Sequence, residues 1–429
     1  MLTGANLPRI GDFNQHIVLD VIRRSDGVSR VDLARETGLT AQTVSNIVRR
    51  LLDQDLVSEG GRRSSRGGKP ATLLRLNASA YYAVGVHIDP ARTTFVLTDL
   101  SGTVVARSRR RTSFRQGPER SIRALVSAIE RMVERSQVPE DRLLGVGVAT
   151  PGPIDRERGL VVEPPNLPGW HVVPLRESLL AGTGLPVVID NDATAAAIGE
   201  RWAGGAARAG GFAFVYFGTG IGGGLVLGDQ LYRGVSWNAG ELGHMVVEPG
   251  GRACVCGNRG CLETYVSPRA MVLDAARLRG EEPPPSAPGG AAVMEHYGRL
   301  CRAAVAEEPV ALRVVREAAR RLGEAAVTLV NVLDVPQIVL GGTGIEHIGA
   351  HFAERIAAEV AARTIAREVR EVGVELSVIG PDAGAIGAAS LVLHEAYFPS
   401  LGGAAERDGS PAAGTAARVA RPRAGTGGA

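Results

Sequence analysis

The stretch of sequence that decides the fold runs from Gly240 to Glu263 and reads GELGHMVVEPGGRACVCGNRGCLE. One histidine precedes three cysteines that lie within eight residues of one another: His244, Cys254, Cys256 and Cys261. Thiolates and imidazole are the ligands that zinc prefers, and four of them complete a tetrahedron with no open position. The spacing therefore predicts one structural zinc per chain, holding an otherwise unstable glycine-rich loop. Three reduced thiols beside an unrelated histidine are the less favoured alternative.

On both sides of this stretch, short β-rich runs alternate with helical patterns. AVGVHI at residues 83–88 and TTFVLTDLSGTVVA at residues 93–106 predict three meandering strands. Further strands are predicted for LLGVGVA, PVVID, FAFVYFG, PQIVLGG and VELSVIG, which are separated by helical patterns such as Leu312 to Val330. Strands that alternate with helices are typical of parallel sheets, so the sequence predicts an α/β architecture.

The first 80 residues have a different pattern. Ser29 and Thr40 are predicted to cap the second and third of three helices. The third helix carries an apolar stripe at helical spacing, made of Val44, Ile47, Val48, Leu51 and Leu52. Two short strands then enclose the loop GGRRSSRGGKP, which is basic and contains no acid. A short helix, a glycine turn, an amphipathic helix and a basic hairpin together predict a winged helix-turn-helix over residues 1–80.

The outer face of the third helix is predicted to enter the major groove of duplex DNA, while the wing meets phosphates or the minor groove. The predicted DNA contacts are Gln42, Thr43, Ser45, Asn46 and Arg49 in the helix and Arg62, Arg63, Arg66 and Lys69 in the wing. A three-helix interaction module with a solvated charged loop is the alternative. The acid-free basic hairpin favours DNA binding over that alternative.

Charge and composition agree with a DNA-binding N-terminal segment. The 429-residue chain has a net charge of +3, and residues 1–80 alone carry 12 basic and 8 acidic side chains. The positive excess is therefore confined to that segment, where a polyanion would bind. No apolar run approaches the roughly 20 residues that span a bilayer, and no signal-peptide pattern begins the chain. We expect a cytoplasmic protein without membrane association.

Several motifs together resemble one known family. GELGH, followed ten residues after its histidine by CxCGxxGCLE, is similar to the signature of the ROK family, which contains repressors and sugar kinases. The resemblance covers about residues 14 to 398. Supporting segments occur in the family's order: PNLPGW at 165–170, DNDATAAAIGE at 190–200, FGTGIGGG at 217–224, VLGGTG at 339–344 and GAIGAA at 384–389.

The resemblance implies an actin-like fold of two α/β lobes with a sugar bound between them. It places the sugar-binding domain at residues 81–398, after the DNA-binding domain at 1–80. Composition predicts a disordered tail at 399–429, because this segment is too poor in large apolar residues to fold. The first lobe would comprise about 81–195 with a C-terminal helix at 383–398, and the second lobe about 196–382. By similarity, the sugar ligands are Asn166, Asn191, Asp192, Glu241, His244 and Glu263.

These sugar ligands are chemically suitable, because carboxylates and carboxamides pair with the adjacent hydroxyls of a pyranose. His244 would serve both sugar and zinc through its two ring nitrogens. For a single residue, a structural role is the alternative: Asp192 could cap the helix that follows it. The family's order and spacing of the whole set favour the sugar site.

The loop after the first strand separates a kinase from a repressor. A ROK kinase needs a DxGGT-type loop there, whereas this chain has His87 in place of the acid, and Asp89 and Pro90 in place of the two glycines. Pro90 removes a backbone N–H, and Asp89 adds negative charge where phosphates would lie. We therefore expect no useful kinase activity. Asp192 stands at the kinase-base position and is interpreted as a sugar ligand.

The leading hypothesis is a sugar-controlled transcriptional regulator, most simply a repressor of carbohydrate genes. Its expected partners are double-stranded operator DNA, a small-molecule sugar and further copies of the chain, as a homodimer or tetramer. A sugar kinase with an added DNA-binding domain is the runner-up, and a regulator that responds to another protein is a third possibility. The degenerate loop argues against the second hypothesis, and the intact sugar-binding set argues against the third.

Overall fold

The computed structural model describes residues 7–63, 71–112, 117–165, 167–204, 210–228, 230–282 and 290–397. Predictions for Arg66, Lys69, Asn166 and the tail at 399–429 fall outside these residues. Arg62 and Arg63 lie in a described strand, but their side chains are outside the description. Among the described residues, no helix is both long enough and apolar enough to cross a membrane.

The N-terminal segment forms three helices and a two-stranded antiparallel hairpin. Their bounds are α1 Leu7–Arg24, α2 Arg30–Thr37, α3 Ala41–Asp53, β1 Val57–Arg63 and β2 Ala71–Leu76. The predicted caps are confirmed: the Ser29 side chain accepts from the Asp32 backbone N–H, and Thr40 accepts from Thr43. The predicted stripe of α3 is buried at Val44, Ile47, Val48 and Leu51, and Leu52 is partly buried. The fold is a winged helix-turn-helix.

A five-stranded sheet follows, in the order β10-β6-β3-β4-β5. Its strands are β3 Tyr82–Ile88, β4 Arg92–Asp99, β5 Val104–Arg111, β6 Leu143–Thr150 and β10 Val187–Asn191. The first three form the predicted antiparallel meander, and β6 and β10 add parallel strands. Around it lie α4 Gly117–Ser136, α5 Leu175–Thr183 and a small sheet of β7 Ile154–Asp155, β8 Leu160–Val162 and β9 Val172–Val173.

A second five-stranded sheet repeats this topology, in the order β13-β12-β11-β14-β15. Its strands are β11 Gly211–Phe217, β12 Ile221–Leu227, β13 Gln230–Tyr232, β14 Gln337–Gly341 and β15 Gly373–Leu376. Again three antiparallel strands are extended by two parallel ones. The repeat identifies two α/β lobes of the same design, as in actin-like folds. Each lobe has its own buried apolar core.

The remaining helices complete the lobes. Those around the second sheet are α7 Glu263–Val266, α8 Pro268–Arg279, α9 Ala291–Val305, α10 Pro309–Leu333 and α11 Gly349–Arg363. Two further helices, α6 Asp192–Ala203 and α12 Ala383–Tyr397, pack against each other with backbones in contact. A Cβ atom on Gly387 would lie 1.9 Å from the Ala195 carbonyl oxygen, so only glycine allows this approach. Helix α12 covers the first sheet, and α6 packs on β12 of the second.

Candidate functional site

The four predicted metal ligands are brought together by the loop that precedes α7. One ligand atom from each of His244, Cys254, Cys256 and Cys261 lies within 4.8 Å of all the others. His244 Nδ1 is 3.5 Å from Cys254 Sγ, and Cys256 Sγ is 3.7 Å from Cys261 Sγ. A tetrahedral zinc with Zn–S bonds of about 2.3 Å separates two sulfurs by about 3.8 Å. The group therefore has the dimensions of a closed metal site.

Backbone hydrogen bonds also shape this loop. The Cys254 N–H donates to the Asn258 carbonyl, at 2.9 Å, which forms the tight turn that carries Cys256. The Leu262 N–H donates to Met245 at 2.9 Å and ties the end of the loop to the histidine segment. The ring of His244 turns its Nδ1 toward the thiols, which leaves Nε2 for a second partner.

Four of the predicted sugar ligands, Asp192, Glu241, His244 and Glu263, lie close enough together to interact through their charges, where the sugar cleft is predicted. Desolvation raises the pKa of Glu241, and the imidazole of His244 opposes that shift. The carboxylates of Asp192 and Glu263 raise the pKa of Glu241 further, since like charges nearby disfavour ionisation. Glu263 Oε2 also accepts from the Ile221 N–H at 3.2 Å, in the predicted glycine-rich turn. That turn therefore positions one carboxylate of the predicted sugar site.

Asn191 and Asp192 stand where β10 ends and α6 begins. The Asn191 side chain caps the helix by accepting from the Ala193 N–H at 2.9 Å. Asp192 is the first residue of the helix, and one of its oxygens also accepts from Ala193, at 2.8 Å. The capping role that was the alternative for Asp192 thus belongs chiefly to Asn191. The second oxygen of Asp192 faces His87 instead.

The loop after β3 closes on its own carboxylate. Asp89 is buried, and one of its oxygens accepts from the N–H groups of Ala91 and Arg92 at 2.8 and 3.3 Å. Its other oxygen accepts from the Thr219 hydroxyl at 3.4 Å. Backbone N–H groups of such a loop are the donors that phosphate binding uses. Here an internal carboxylate takes them.

Burial raises the pKa of Asp89 above its usual value, and Asp192 contributes to the rise, whereas His87 and the loop amides oppose it. Beside this loop lies a cavity of about 420 Å³ between the lobes. Its lining includes the bases Arg92, Arg111 and His347 as well as Asp89. The cavity has room for a ligand, but the loop at its base presents a carboxylate.

The predicted recognition face is exposed on α3. Gln42, Asn46 and Arg49 are all exposed and follow one another along one side of the helix. Both Gln42 and Arg49 donate to the Asn46 side-chain oxygen, at 3.2 and 3.0 Å. Thr43 and Ser45 are partly buried and bond locally, to Thr40 Oγ1 and the Ala41 carbonyl. The three exposed side chains present the groups that pair with base edges.

The sequence did not predict a charged cluster that lies next to Asn191. The buried Asp190 accepts from Arg233 at 2.9 Å and lies 3.6 Å from Arg156. Both guanidiniums stack on Trp237, with the carbon of Arg156 4.6 Å and that of Arg233 5.5 Å from the ring centroid. The cluster ties β10 of the first sheet to the segment after β13 of the second. The only available signal was Asp190 itself, a charged residue at the end of an otherwise apolar strand.

Comparisons with known proteins agree with this architecture. The profile of the ROK family matches residues 83–395, and that of the MarR family matches residues 6–65. A solved ROK family transcriptional regulator, described as a homologue of the E. coli MLC protein, superposes with a TM-score of 0.69 at 23% identity. The match covers 90% of this chain and 97% of the other, and it supports the fold alone.

Relatives by sequence include both repressors and kinases. A putative xylose repressor of Caldicellulosiruptor sp. (strain Rt8B.4) is 30% identical over 90% of this chain and 96% of its own length. A glucokinase of Halalkalibacterium halodurans is 31% identical over 73% of this chain and 95% of its own length. The repressor match therefore extends over a larger part of this chain than the glucokinase match.

Proposed function

The chain belongs to the ROK family, and from that premise we propose that it is a transcriptional repressor whose affinity for operator DNA is controlled by a bound sugar. The observation that supports the proposal most is the combination, in one chain, of a winged helix-turn-helix with exposed polar side chains on α3 and a loop after β3 whose N–H groups are taken by Asp89. The similarity to a putative xylose repressor over most of the chain supports it.

The proposed sugar site draws on both lobes. Asn191 and Asp192 come from the first-lobe side, at the junction of β10 and α6. Glu241, His244 and Glu263 come from the segment that follows the second-lobe hairpin. Carboxylates accept hydrogen bonds from adjacent hydroxyls in pairs, which suits a pyranose. We include Asn166 in this set by family similarity. D-xylose is the first sugar to test, because it is the sugar in the name of the repressor relative.

We propose that the Cys3His group holds one zinc ion. The sulfur–sulfur distance of 3.7 Å supports zinc, because it matches the edge of a tetrahedral thiolate site. The ion would supply no chemistry beyond fixing the loop, since four protein ligands leave it no open position. The sugar contacts would come from the protein alone: the Nε2 atom of His244, which the metal leaves free, and the carboxylate of Glu263 at the end of the loop.

The proposed DNA-binding unit comprises residues 1–80, and the sugar-binding unit comprises residues 81–398. One recognition helix and wing cover only half of an operator, so we propose a homodimer, or a tetramer built from it, that reads two half-sites. Arg62, Arg63, Arg66 and Lys69 of the wing are assigned to phosphates from their charge in the sequence. The cytoplasm, where bacterial operator DNA lies, is the proposed location.

Sugar and DNA should oppose each other. Ligands on both lobes can contact one sugar together only when the cleft closes, so sugar binding favours a closed arrangement. If operator binding favours the open arrangement, the coupling is reciprocal and typically about 5- to 150-fold in affinity. Such a switch requires no catalysis. We propose that the chain lacks useful kinase activity, although glucokinases are among its relatives.

Two experiments test the proposed function. A thermal-shift screen over pentoses, hexoses, amino sugars and their phosphates should identify a sugar that raises the melting temperature. Selection from random duplexes should then yield a two-fold symmetric operator, because a homodimer presents two equivalent helices. Selection of no preferred sequence, or a melting temperature that no sugar raises, would remove the proposal.

A further inference from the structure

Helix α6 lies between the sugar cleft and the DNA-binding domain. It begins at Asp192, next to its cap Asn191, and ends at Ala203. A helix of 12 residues is about 18 Å long and behaves as a stiff rod. Its first residue belongs to the proposed sugar site, and its last turn carries Arg201 and Trp202, which contact α1. A single rigid element therefore contacts both functional regions.

The contact between Trp202 and α1 is closely packed. The guanidinium of Arg23 stacks on the Trp202 ring, with its carbon 4.6 Å from the centroid, and also donates to the Trp202 carbonyl oxygen. The indole N–H donates to the Leu100 carbonyl at 3.0 Å, so the ring is held in one orientation. Trp202 is only 3% exposed, and a stacked cation in such a setting is stabilised by the aromatic face.

A shared carboxylate forms the second contact between α6 and α1. Asp20 of α1 is 6% exposed and lies 3.3 Å from Arg201 of α6. Within α1 it also pairs with Arg23 at 2.7 Å and Arg24 at 2.9 Å. Ion pairs that are partly removed from solvent depend strongly on geometry. A small displacement of Arg201 would therefore change the strength of the ion pairs that Asp20 forms with the arginines of α1.

The DNA-binding domain packs directly against α6 and α12 through a shared apolar core. A single buried apolar cluster contains Leu19 and Ile22 of α1 together with Trp202 of α6 and Ile386 and Leu393 of α12. Because this core is continuous, a movement of α6 or α12 is passed to α1 through packed side chains. Protein interiors are dense, so such a movement is transmitted as a shift of whole elements.

Helix α6 is also placed so that a movement of either lobe would displace it. A Cβ atom on Gly224 of β12 would lie 2.4 Å from the Ala193 carbonyl oxygen, so the start of α6 rests directly on the second sheet. Further along, Gly199 contacts Gly387 of α12, which covers the first sheet. One helix is thus in contact with both lobes, and a change in their relative orientation must move it against at least one of them.

We propose that α6 transmits occupancy of the sugar cleft to the winged helix-turn-helix, through Arg201 and Trp202 acting on Asp20 and Arg23. This inference rests on the proposed function and adds to it the path of regulation. Sugar contacts at Asn191 and Asp192 fix the start of the helix, and the stiffness of the helix carries that displacement to its far end. The two recognition helices of a dimer then change their separation.

The test uses the full-length protein, a selected operator duplex and D-xylose. Operator affinity is measured by fluorescence anisotropy with and without the sugar, and sugar affinity by titration calorimetry. Arg201→Gln removes the cation that reaches Asp20 from α6. Arg24→Gln is the matched control, because it removes a cation that reaches the same carboxylate from within α1. Trp202→Phe is a second variant that keeps an aromatic ring but loses the indole donor.

In the wild type, D-xylose should weaken operator binding by roughly 5- to 150-fold. Arg201→Gln and Trp202→Phe should retain sugar affinity and sugar-free operator affinity within about threefold, while sugar-induced release falls to less than about threefold. Arg24→Gln should release like the wild type. Normal release in both α6 variants, or equal loss in Arg24→Gln, would overturn the inference. Absence of release in the wild type by D-xylose and by every sugar that raises its melting temperature would instead show that the proposed function itself fails.

Discussion

The Nε2 atom of His87 lies 3.9 Å from an Asp192 carboxylate oxygen. The Tyr216 hydroxyl lies 3.3 Å from the same nitrogen, and His87 itself is buried at 2% exposure. By the family resemblance, His87 is predicted to stand at the position of the acid in a ROK kinase loop, and Asp192 at the position of its base. In this chain the imidazole of His87 faces the carboxylate of Asp192. The cluster joins β3, α6 and β11, and so takes part in holding the lobes together.

This arrangement predicts that the protein has no useful sugar kinase activity. Asp89 uses the loop amides that a phosphate would need, and His87 provides no carboxylate for a metal-bound nucleotide. A coupled ADP-release assay with D-glucose, D-xylose and other sugars should show turnover far below about 1 per second, the low end of ordinary enzymes. Turnover at or above that value with any sugar would favour the kinase alternative.

A second prediction concerns the metal. Protein purified without chelator should contain about one zinc per chain, as expected for one closed site. Cys256→Ser should lose the metal and also the response to sugar, because the same loop carries His244 and Glu263. Cys301→Ser is the matched control, since Cys301 is a buried thiol outside the metal group. Elemental analysis and the anisotropy assay check both points. Zinc-free wild-type protein that still responds to sugar would contradict the prediction.

The third prediction separates the wing from the recognition helix. Replacing Arg62, Arg63 and Arg66 with alanine should weaken binding to all duplexes and reduce the salt slope by roughly 2 to 3, close to 0.9 per lost phosphate contact. Asn46→Ala should instead reduce specificity, because Asn46 is the acceptor shared by Gln42 and Arg49 on the exposed face.

Both variants are measured by anisotropy over a range of salt, with operator and random duplexes. A triple wing variant that keeps the wild-type affinity and slope would show that the wing does not contact DNA. An Asn46 variant with an unchanged preference for operator over random sequence would remove α3 from base recognition.

The fourth prediction is a pH dependence of stability. Desolvation, with the cations Arg233 and Arg201 nearby, lowers the pKa of the partly buried His394 to about 3. The unfolded chain would protonate this imidazole near its ordinary pKa of about 6.5, so stability contributed by the neutral form is lost as pH falls below that value. His394→Gln removes the group that takes up the proton.

The loss of unfolding free energy between about pH 7 and pH 5 should be up to about 2 kcal/mol smaller in His394→Gln than in the wild type. Urea denaturation at the two pH values measures this difference, in which other titrating groups cancel. Equal losses in both proteins would show that His394 titrates normally in the folded state.

Local signals in the sequence predicted local features correctly. The caps at Ser29 and Thr40 and the buried stripe of α3 follow from side-chain chemistry within one or two helical turns. The metal group was predictable for a related reason: three of its ligands are close in the chain, and the fourth lies ten residues earlier. The two-lobed architecture was inferred through the family resemblance, but the order of the strands in each sheet was not predicted, because strand patterns alone do not give it.

Contacts between distant segments had no such signal. Asp20 and Arg201 are separated by 181 positions, and each would be an ordinary exposed helix residue if judged from its neighbours. Asp89 was expected to repel phosphate by its charge, but its capture of the Ala91 and Arg92 N–H groups depends on the local backbone path. Long-range ion pairs depend on how whole helices and strands pack together. Periodic patterns in the sequence do not predict that packing.

The central claim is that a sugar in the cleft controls release from DNA. The most direct test measures operator affinity with and without the cognate sugar for the wild type, Asp192→Asn and Glu241→Gln. Both substitutions keep side-chain size and remove a carboxylate that we propose pairs with sugar hydroxyls. We predict that all three proteins bind operator equally without sugar, and that sugar weakens the wild type by roughly 5- to 150-fold but leaves both variants bound. Normal release of either variant by the sugar would contradict the claim that the effector occupies this cleft.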